Sequence, residues 1–476
     1  MKGALKDLKA APMVWGAVGL VLVVGQTMLS LFMALWESLK RACTGSCVGT
    51  SGDQSFVMTM PLFFLIVMFA FVVLWTVSSA LAQRRRQLAL LVLQGATPIQ
   101  LLMRTIVVVA VLFVVANVAA FVIVPLVAQG FYRFYMPIAI DVGSFPPYVG
   151  SGVYPALMRG AIFGGATVLV GTIFTMRSIA RISPIEALRQ SQNPPRRIGV
   201  KRMVMVIVLF LAALVVLSIS GLALKPVSQA TIMAGKAFTD STSALLIWTA
   251  MLGMFLLVFA LALAAPLILG RFASWWTSIP IPSATWKLAG QQSSGRINRQ
   301  RGTVMPLVIG LTMTMTFSSI LATFTTTMNY IAPGVKGYKS ASLERILAVL
   351  APAIIVALAG VVAGLCISAG ARKVDAALTY VAGADIGQLT VLSFLDGAIM
   401  SATSVLLAFI VTNVALLSID FGLLKLVGHC VPNLELLGWL AILVIAVIVG
   451  AIATGIQGLT TRYQDSMRII ASAIGE

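Results

Sequence analysis

The chain has 476 residues, of which 59% are hydrophobic and 10% are charged, and its mean hydropathy is +1.02. This composition excludes a soluble globular domain of that length and is typical of a protein with many membrane spans. The net charge of +19 would suit a nucleic-acid partner. The basic residues, however, lie in short segments between apolar runs, which argues against nucleic acid and favours a role in membrane topology.

Apolar runs of roughly 20–27 residues recur along the whole chain, and each is long enough to cross a bilayer as a helix. Backbone groups in lipid must be bonded within their own segment, and the runs lack the alternation of a β-barrel strand. The sequence therefore predicts an all-α polytopic membrane protein with about ten transmembrane helices. The predicted spans are residues 12–35, 56–82, 105–128, 155–176, 203–224, 244–270, 303–327, 346–370, 391–417 and 437–458.

The orientation follows from the basic residues. With both termini in the cytoplasm, the cytoplasmic segments contain 23 of the 33 lysines and arginines, and the opposite orientation would invert this bias. Some of these residues also suit contact with anionic lipid head groups. Residues 1–11 are predicted to form a short amphipathic helix on the inner membrane surface, and the apolar run behind them is too long for a cleaved signal peptide.

The order of the segments indicates two halves. Residues 1–202 contain four spans and end in a basic stretch, residues 203–270 form a linking two-span hairpin, and residues 271–476 repeat the four-span pattern. The outer segments between spans are too short to bury a core, so no extracytoplasmic domain is expected. Glycine- and alanine-rich stretches in the fourth and eighth spans, residues 160–171 and 357–370, predict close contacts between helices.

One phrase occurs in both halves, at residues 84–101 and 372–389. At a single offset of 288 positions the two copies share a basic pair, Ala-Leu, Gly-Ala and Gln-Leu. Each copy lies between two long spans, which predicts a short basic helix that ends at the glycine. We refer to these two segments as the first and second knuckle. An ordinary positive-inside loop is the alternative interpretation of either copy.

Motifs of common enzyme chemistry are absent. The sequence contains no G-x-x-x-x-G-K-[ST] phosphate loop and no H-E-x-x-H, and its one histidine predicts no metal site. Few buried polar clusters are evident, which argues against an intramembrane protease or transferase. Cys43 and Cys47 lie in the first outer segment, where either a local disulfide or two free thiols would fit.

Asp396 is the clearest ionisable residue within a predicted span, near the cytoplasmic end of the ninth. Intramembrane carboxylates are functional candidates by default. We expect Asp396 to cap a helix or pair with Arg372 or Lys373, and proton coupling is the alternative. The other polar residues within spans are predicted to form interhelical hydrogen bonds. These residues are Gln26, Asn117 and Asn413.

The knuckles resemble a phrase of the FtsX-like permease family of ABC transporters, which includes the MacB, LolC/LolE and BceB types. That family carries a basic, helix-forming phrase between the second and third spans of each unit, similar to residues 84–96 and, more degenerately, 372–384. Its R-I-x-P-x-E-A-L-R phrase is similar to residues 181–189. The resemblance covers nearly the whole chain and implies two four-helix FtsX-like units joined by a two-helix hairpin. The short outer loops of this chain depart from the MacB and LolC/LolE types, which carry large periplasmic domains.

The resemblance also implies partners. The knuckles would be coupling helices, each bound to one of two copies of a cytoplasmic ABC ATPase. This chain would then be no enzyme and bind no cofactor, with ATP and Mg in the ATPase. Membrane lipid and an accessory membrane protein are further candidate partners. The implied coupling residues are Arg84, Arg85, Arg86, Leu88, Leu91, Gly95, Ala96 and Gln100 in the first knuckle, and Arg372, Lys373, Gly383, Ala384 and Gln388 in the second.

The function implied is that of an exporter permease in a bacterial cytoplasmic membrane. BceB types carry a large outer domain after the seventh span, whereas here that segment is only residues 328–345. This favours export or extraction of an amphipathic or hydrophobic substrate, such as an antimicrobial peptide, an antibiotic or a lipid-like molecule. A mechanotransmitter or sensor that transports nothing, and an ion-driven secondary transporter with internal repeats, are the alternatives.

Overall fold

The structure is a computed structural model. It describes residues 11–43, 51–139, 147–179, 200–222, 225–233, 241–280, 283–299, 301–333, 343–381, 383–434 and 436–461. Residues 1–10 of the predicted N-terminal helix and the 181–189 phrase lie outside these ranges.

Within the described ranges the secondary structure is helical, with no β-strand. The helices are α1 (Pro12–Cys43), α2 (Ser51–Gln83), α3 (Arg85–Leu93), α4 (Pro98–Ala139), α5 (Val153–Ile179), α6 (Val200–Leu222), α7 (Gln229–Met233), α8 (Ser241–Thr277), α9 (Ala284–Arg299), α10 (Arg301–Ile331), α11 (Leu343–Val381), α12 (Ile386–Val427) and α13 (Leu436–Thr461). Of these, 10 are long and apolar enough to cross a membrane. The predicted all-α polytopic class is therefore confirmed at the level of helix length and composition.

Several spans are longer than predicted. The third was predicted at residues 105–128, but the apolar helix runs from Ile99 to Ile138, a length of 40 residues. A helix of that length extends about 60 Å, roughly twice the thickness of the hydrocarbon core, so it must tilt or extend beyond the lipid. Hydropathy predicted only the most apolar central part of this helix, which is why its ends were missed.

The chain forms two compact units. Unit 1 comprises Met1–Arg196 and Glu344–Ile367, and unit 2 comprises Arg197–Leu343 and Ser368–Glu476. Residues 344–367 of α11 therefore belong to unit 1, and residues 368–381 belong to unit 2. The predicted division into two FtsX-like units and a hairpin stays a prediction, as does the location of the termini.

Unit 1 is built around α1, which packs against α2, α4 and α5. Helix packing in lipid relies on close van der Waals contact, because lipid tails are as apolar as the side chains. Glycines of α5 provide this contact. A Cβ added at Gly160 would lie 2.8 Å from the Ser30 hydroxyl oxygen, and one added at Gly171 would lie 3.3 Å from Val73. The predicted close contacts of the fourth span are thus present.

Unit 2 is built around α12, which packs against α6, α8, α9, α10 and α13. The span in α10 has 83% of its most apolar window buried, whereas the span in α13 has 6%. The helix α13 therefore leaves nearly all of that window exposed and contacts α12 through small residues. A Cβ added at Gly450 would lie 2.8 Å from the Gly397 carbonyl oxygen, so the two backbones approach closely.

Candidate functional site

The first knuckle ends in a glycine turn. Gly95 has φ of 92°, in the left-handed region that L side chains rarely adopt. The Gly95 amide donates to the Val92 carbonyl at 3.0 Å, and the Ala96 amide donates to the Leu91 carbonyl at 3.0 Å. These two bonds define a Schellman motif, which satisfies the last carbonyls of α3. The predicted end of the helix at this glycine is confirmed.

The second knuckle has the same turn. Gly383 has φ of 99°, its amide donates to the Tyr380 carbonyl at 2.9 Å, and the Ala384 amide donates to the Thr379 carbonyl at 3.2 Å. The prediction of a separate short helix in each knuckle is wrong for the second knuckle. The first knuckle has its own helix, α3, after a turn at Arg84, whereas the second is the continuous end of α11.

Both knuckles then start the next span with a capping box. In the first, the Thr97 amide donates to Gln100 Oε1 at 3.0 Å, and the Gln100 amide donates to Thr97 Oγ1 at 3.4 Å. In the second, the Asp385 amide donates to Gln388 Oε1 at 3.3 Å, and Asp385 accepts through its carboxylate from the first turn of α12. Gln100 and Gln388, predicted as coupling residues, therefore have a structural role in capping.

Exposed apolar side chains lie at matched positions on the two knuckles. Leu90 and Leu93 are 43% and 54% exposed, and their counterparts Leu378 and Val381 are 53% and 57% exposed. These four residues were not among the predicted coupling residues, although each pair has the offset of 288 that reveals the repeat. We refer to them as the apolar tips of the knuckles.

The predicted coupling residues are distributed differently. The side chains of Arg85, Arg86, Arg372 and Lys373 lie outside the part of the structure that is described. Leu88 and Leu91 are half-buried, behind the apolar tip. The Arg84 guanidinium lies 5.8 Å from the centre of the Trp15 ring, a cation–π contact that ties the first knuckle to the start of α1.

Asp396 pairs with a residue that the sequence did not suggest. Its Oδ2 lies 3.4 Å from an Nη of Arg296, with the two side chains 4% and 11% exposed. Its Oδ1 has no hydrogen-bond partner among the described residues. Arg296 belongs to α9, which packs against α12. The predicted partners Arg372 and Lys373 have no described side chains, so the buried pair with Arg296 is the contact that the structure supplies.

Buried hydroxyl side chains on two opposite sides of α10, in unit 2, were also missed. Thr316 and Thr412 share a hydrogen bond of 3.0 Å between α10 and α12. Near the end of α10, Thr327 accepts from the Val431 amide at 3.1 Å. The sequence signal that could have revealed these buried hydroxyl groups is threonine at alternate positions of this span. The buried hydroxyl residues of α10 are Thr312, Thr314, Thr316, Ser318, Ser319, Thr323, Thr325 and Thr327.

The polar amides within spans differ in role. Gln26 is fully buried in α1, and its Nε2 donates to Asn117 Oδ1 at 3.1 Å, which confirms the predicted interhelical bond. The same nitrogen donates to Ser30 Oγ at 3.2 Å. Asn413 instead donates to the Phe409 carbonyl of its own helix at 2.7 Å. The amide pair therefore joins α1 to α4 within unit 1.

Among the described residues, neither the cysteines nor the potential metal ligands form a reactive or metal-binding site. Cys47 and the side chain of Cys43 lie outside the described residues, so the disulfide stays a prediction. Cys430 donates to Asp420 Oδ1 at 3.5 Å, and burial together with that carboxylate raises the pKa of the thiol to about 12. Such a thiol is unreactive near neutral pH. Among the described residues no group of three or more His, Cys, Asp or Glu side chains could hold a metal.

Comparison of the sequence with protein-family models gave no match, and comparison with curated proteins likewise gave none. The class defined by the fold is thus a polytopic all-α membrane protein, which is compatible with a transporter subunit.

The interhelical polar bonds predict small changes in stability. Gln26→Leu should cost about 0.6–1.7 kcal/mol, and Thr316→Val about 0.6 kcal/mol, the usual range for hydrogen bonds between membrane helices. The measurement is the free energy of unfolding in lipid micelles. A loss above about 3 kcal/mol for Thr316→Val would contradict this assignment, because that magnitude belongs to broken buried charge pairs.

Proposed function

We propose that this chain is the transmembrane permease subunit of an ABC transporter in a bacterial cytoplasmic membrane. It couples ATP hydrolysis in two separate ATPase subunits to export or extraction of an amphipathic or hydrophobic substrate. The observation that carries the proposal is the repeated knuckle, because the same Schellman motif and capping box occur 288 positions apart.

A docking element for an ATPase must be stiff as well as exposed. In each knuckle the capping box follows the Schellman turn directly, so the described backbone amides of the turn donate to the end of one helix or to the capping residue of the next. A push on the apolar tip therefore moves the following span, α4 or α12, rather than bending a loop. This stiffness supports transmission of force from a bound partner.

The number of equivalent elements supports the predicted stoichiometry. ABC ATPases act as a pair, and the two matched apolar tips would provide one docking site for each ATPase. Exposed apolar side chains beside basic residues are typical of protein contacts rather than of an isolated loop. ATP and Mg would be bound by the ATPases, and this chain would contribute the seats and the path through the membrane.

The proposal predicts a stepwise loss of ATPase. Leu93→Glu or Val381→Glu alone should leave one ATPase bound on purification, and both changes together should leave none, because each carboxylate would be desolvated in an apolar seat. The measurement is the ATPase-to-permease ratio after co-purification with the ATPase encoded beside this chain, by quantitative amino-acid analysis.

A matched control tests whether added charge alone acts. Tyr330→Glu places the same charge at another residue that is 67% exposed, at the far end of α10, and should retain both ATPases. If the wild-type chain purifies without any ATPase, the proposal fails. If the Leu93 and Val381 variants keep both subunits, the apolar tips are not the seats.

A further inference from the structure

The two knuckles differ in charge although their turns match. The first, residues 84–101, contains three arginines and no acidic residue, so its formal charge is +3. The second, residues 372–389, contains two basic and two acidic residues, so its formal charge is 0. Both have the same Schellman turn and capping box. Charge therefore distinguishes two turns of like conformation.

The difference arises at three of the matched positions, and each makes the second knuckle one charge less positive. The differing pairs are Arg86 and Val374, Gln87 and Asp375, and Thr97 and Asp385. Arg84, whose guanidinium contacts the Trp15 ring, has no part in the difference, because its counterpart is also an arginine. The contrast between the knuckles therefore does not depend on the contacts of Arg84.

Thr97 and Asp385 are the differing pair whose side chains the structure describes. Both are exposed capping residues: Thr97 Oγ1 accepts from the Gln100 amide at 3.4 Å, and Asp385 Oδ2 accepts from the Gly387 amide at 3.2 Å. Each follows the last residue of its apolar tip by four positions, across the glycine turn. Four residues span at most about 14 Å and a turn shortens this distance, so the Asp385 carboxylate is close enough to act on a partner that covers Val381.

The exposed apolar side chains of the two knuckles differ by an exchange rather than by a surplus. The first knuckle has Ile99, which is 69% exposed, where the second has Gly387. The second has Tyr380, which is 44% exposed, where the first has the half-buried Val92. Among the described residues each knuckle thus has one large exposed side chain that the other lacks, and charge is the larger contrast.

Neither topology nor capping requires this contrast. The positive-inside rule depends on lysine and arginine and hardly on acidic residues, so it accounts for a basic pair in each knuckle but not for the carboxylates of the second. Thr97 caps its helix without a charge, so capping does not require the carboxylate of Asp385 either. Local structure therefore leaves the contrast in charge without an explanation.

We propose that the two knuckles bind the ATPase with unequal strength, and that the ATPase presents an acidic surface to them. This inference rests on the function proposed above and gives the chemistry of its partner. The arginines of the first knuckle attract an acidic surface before contact, which speeds association and strengthens binding at low salt. The carboxylates of the second knuckle offset its basic pair, so this knuckle binds through its apolar tip. The two ATPases therefore load in order, at the first knuckle before the second.

The test measures the affinity of the ATPase for full-length chains that keep one knuckle intact. Val381→Glu leaves the first knuckle and Leu93→Glu leaves the second. Each chain is placed in phosphatidylcholine nanodiscs, and the Kd of the ATPase encoded beside this chain is measured at about 50 mM and about 500 mM salt. At the lower salt the first knuckle should bind about tenfold more tightly than the second. At the higher salt its Kd should rise about tenfold, whereas that of the second should change less than about twofold.

Exchanging charge between the matched capping residues is the critical variant. Asp385→Asn in the Leu93→Glu chain removes the carboxylate and keeps a good N-cap, so ATPase binding should tighten about threefold at low salt. Thr97→Asp in the Val381→Glu chain adds the carboxylate that the second knuckle has, and binding should weaken about threefold. Tyr330→Glu is the matched control, because it adds the same charge at an exposed residue near the end of α10 and should leave both Kd values unchanged.

The outcomes separate this inference from the function on which it rests. If the wild-type chain binds two ATPases but the two single-knuckle chains have equal Kd and equal salt dependence, the inference is wrong and the proposed function stands. Tighter binding after Thr97→Asp would mean that the ATPase surface is basic, which also overturns it. A difference between the knuckles that appears only after phosphatidylglycerol is added would assign the arginines to lipid. A wild-type chain that binds no ATPase at either salt would overturn the proposed function itself.

Discussion

A chain that carries Gly95→Pro and Gly383→Pro together should retain neither ATPase on purification, whereas the wild-type chain should retain two. The backbone at these positions has φ of 92° and 99°, and proline is fixed near −65°. Proline also removes the amides that bond to the Val92 and Tyr380 carbonyls. Each turn therefore loses its conformation and one of its two bonds, at a cost of about 3 kcal/mol or more.

The control for this variant is Gly95→Asn with Gly383→Asn. Asparagine tolerates the left-handed conformation better than other L residues, and a Cβ added at either glycine would meet nothing within 4 Å. This chain should keep both ATPases. The measurement is again the ATPase-to-permease ratio, with thermal unfolding to show that both variants are folded. Retention of two ATPases by the proline chain would mean that the knuckle turns are not needed for docking.

Arg296→Met should lower the stability of unit 2 by about 3–5 kcal/mol, the usual cost of leaving one charge of a buried pair without its partner. Asp396 would then be a buried carboxylate with neither oxygen paired within the described residues, since its Oδ1 already has no partner. The measurement is the free energy of unfolding in lipid, or the unfolding temperature in a fixed detergent.

Arg296→Met combined with Asp396→Leu is the critical control. Replacing both charges of a buried pair by apolar groups of similar size is often neutral or stabilising, so the double variant should recover most of the loss. Asp396→Leu alone should cost less than Arg296→Met, because Arg296 has further interactions within the described residues. If the double variant is as unstable as Arg296→Met, side-chain packing rather than the ion pair accounts for the effect.

The features that sequence predicted are those that depend on local composition. A membrane span is defined by its own apolar residues, so all ten predicted runs coincide with apolar helices. The glycine of each knuckle was predictable because only a residue that tolerates positive φ fits a Schellman turn. The ends of α4 were not predictable in this way, because their residues are less apolar than those at the centre of the helix.

The features that sequence missed depend on which helices meet. Arg296 precedes Asp396 by 100 positions, and no periodicity within one segment connects them. Arg372 and Lys373 were favoured only because they are near in sequence. The hydroxyl groups of α10 escaped notice because threonine is nearly neutral in hydropathy. The apolar tips were missed because exposure is decided by tertiary packing.

The first helix joins the two ends of unit 1. Trp15 contacts Arg84 of the first knuckle, and Glu37 pairs with Arg41 and Arg159. Both Trp15 and Glu37 lie on the one uninterrupted helix α1. At a rise of 1.5 Å per residue they are separated by about 33 Å. The helix is therefore a lever arm: a tilt of about 2° about its Trp15 end displaces Glu37 by about 1 Å. A displacement of that size is enough to break a hydrogen bond to a guanidinium group. A small tilt at the Trp15 end of α1 would therefore change the ion pairs of Glu37 at its other end.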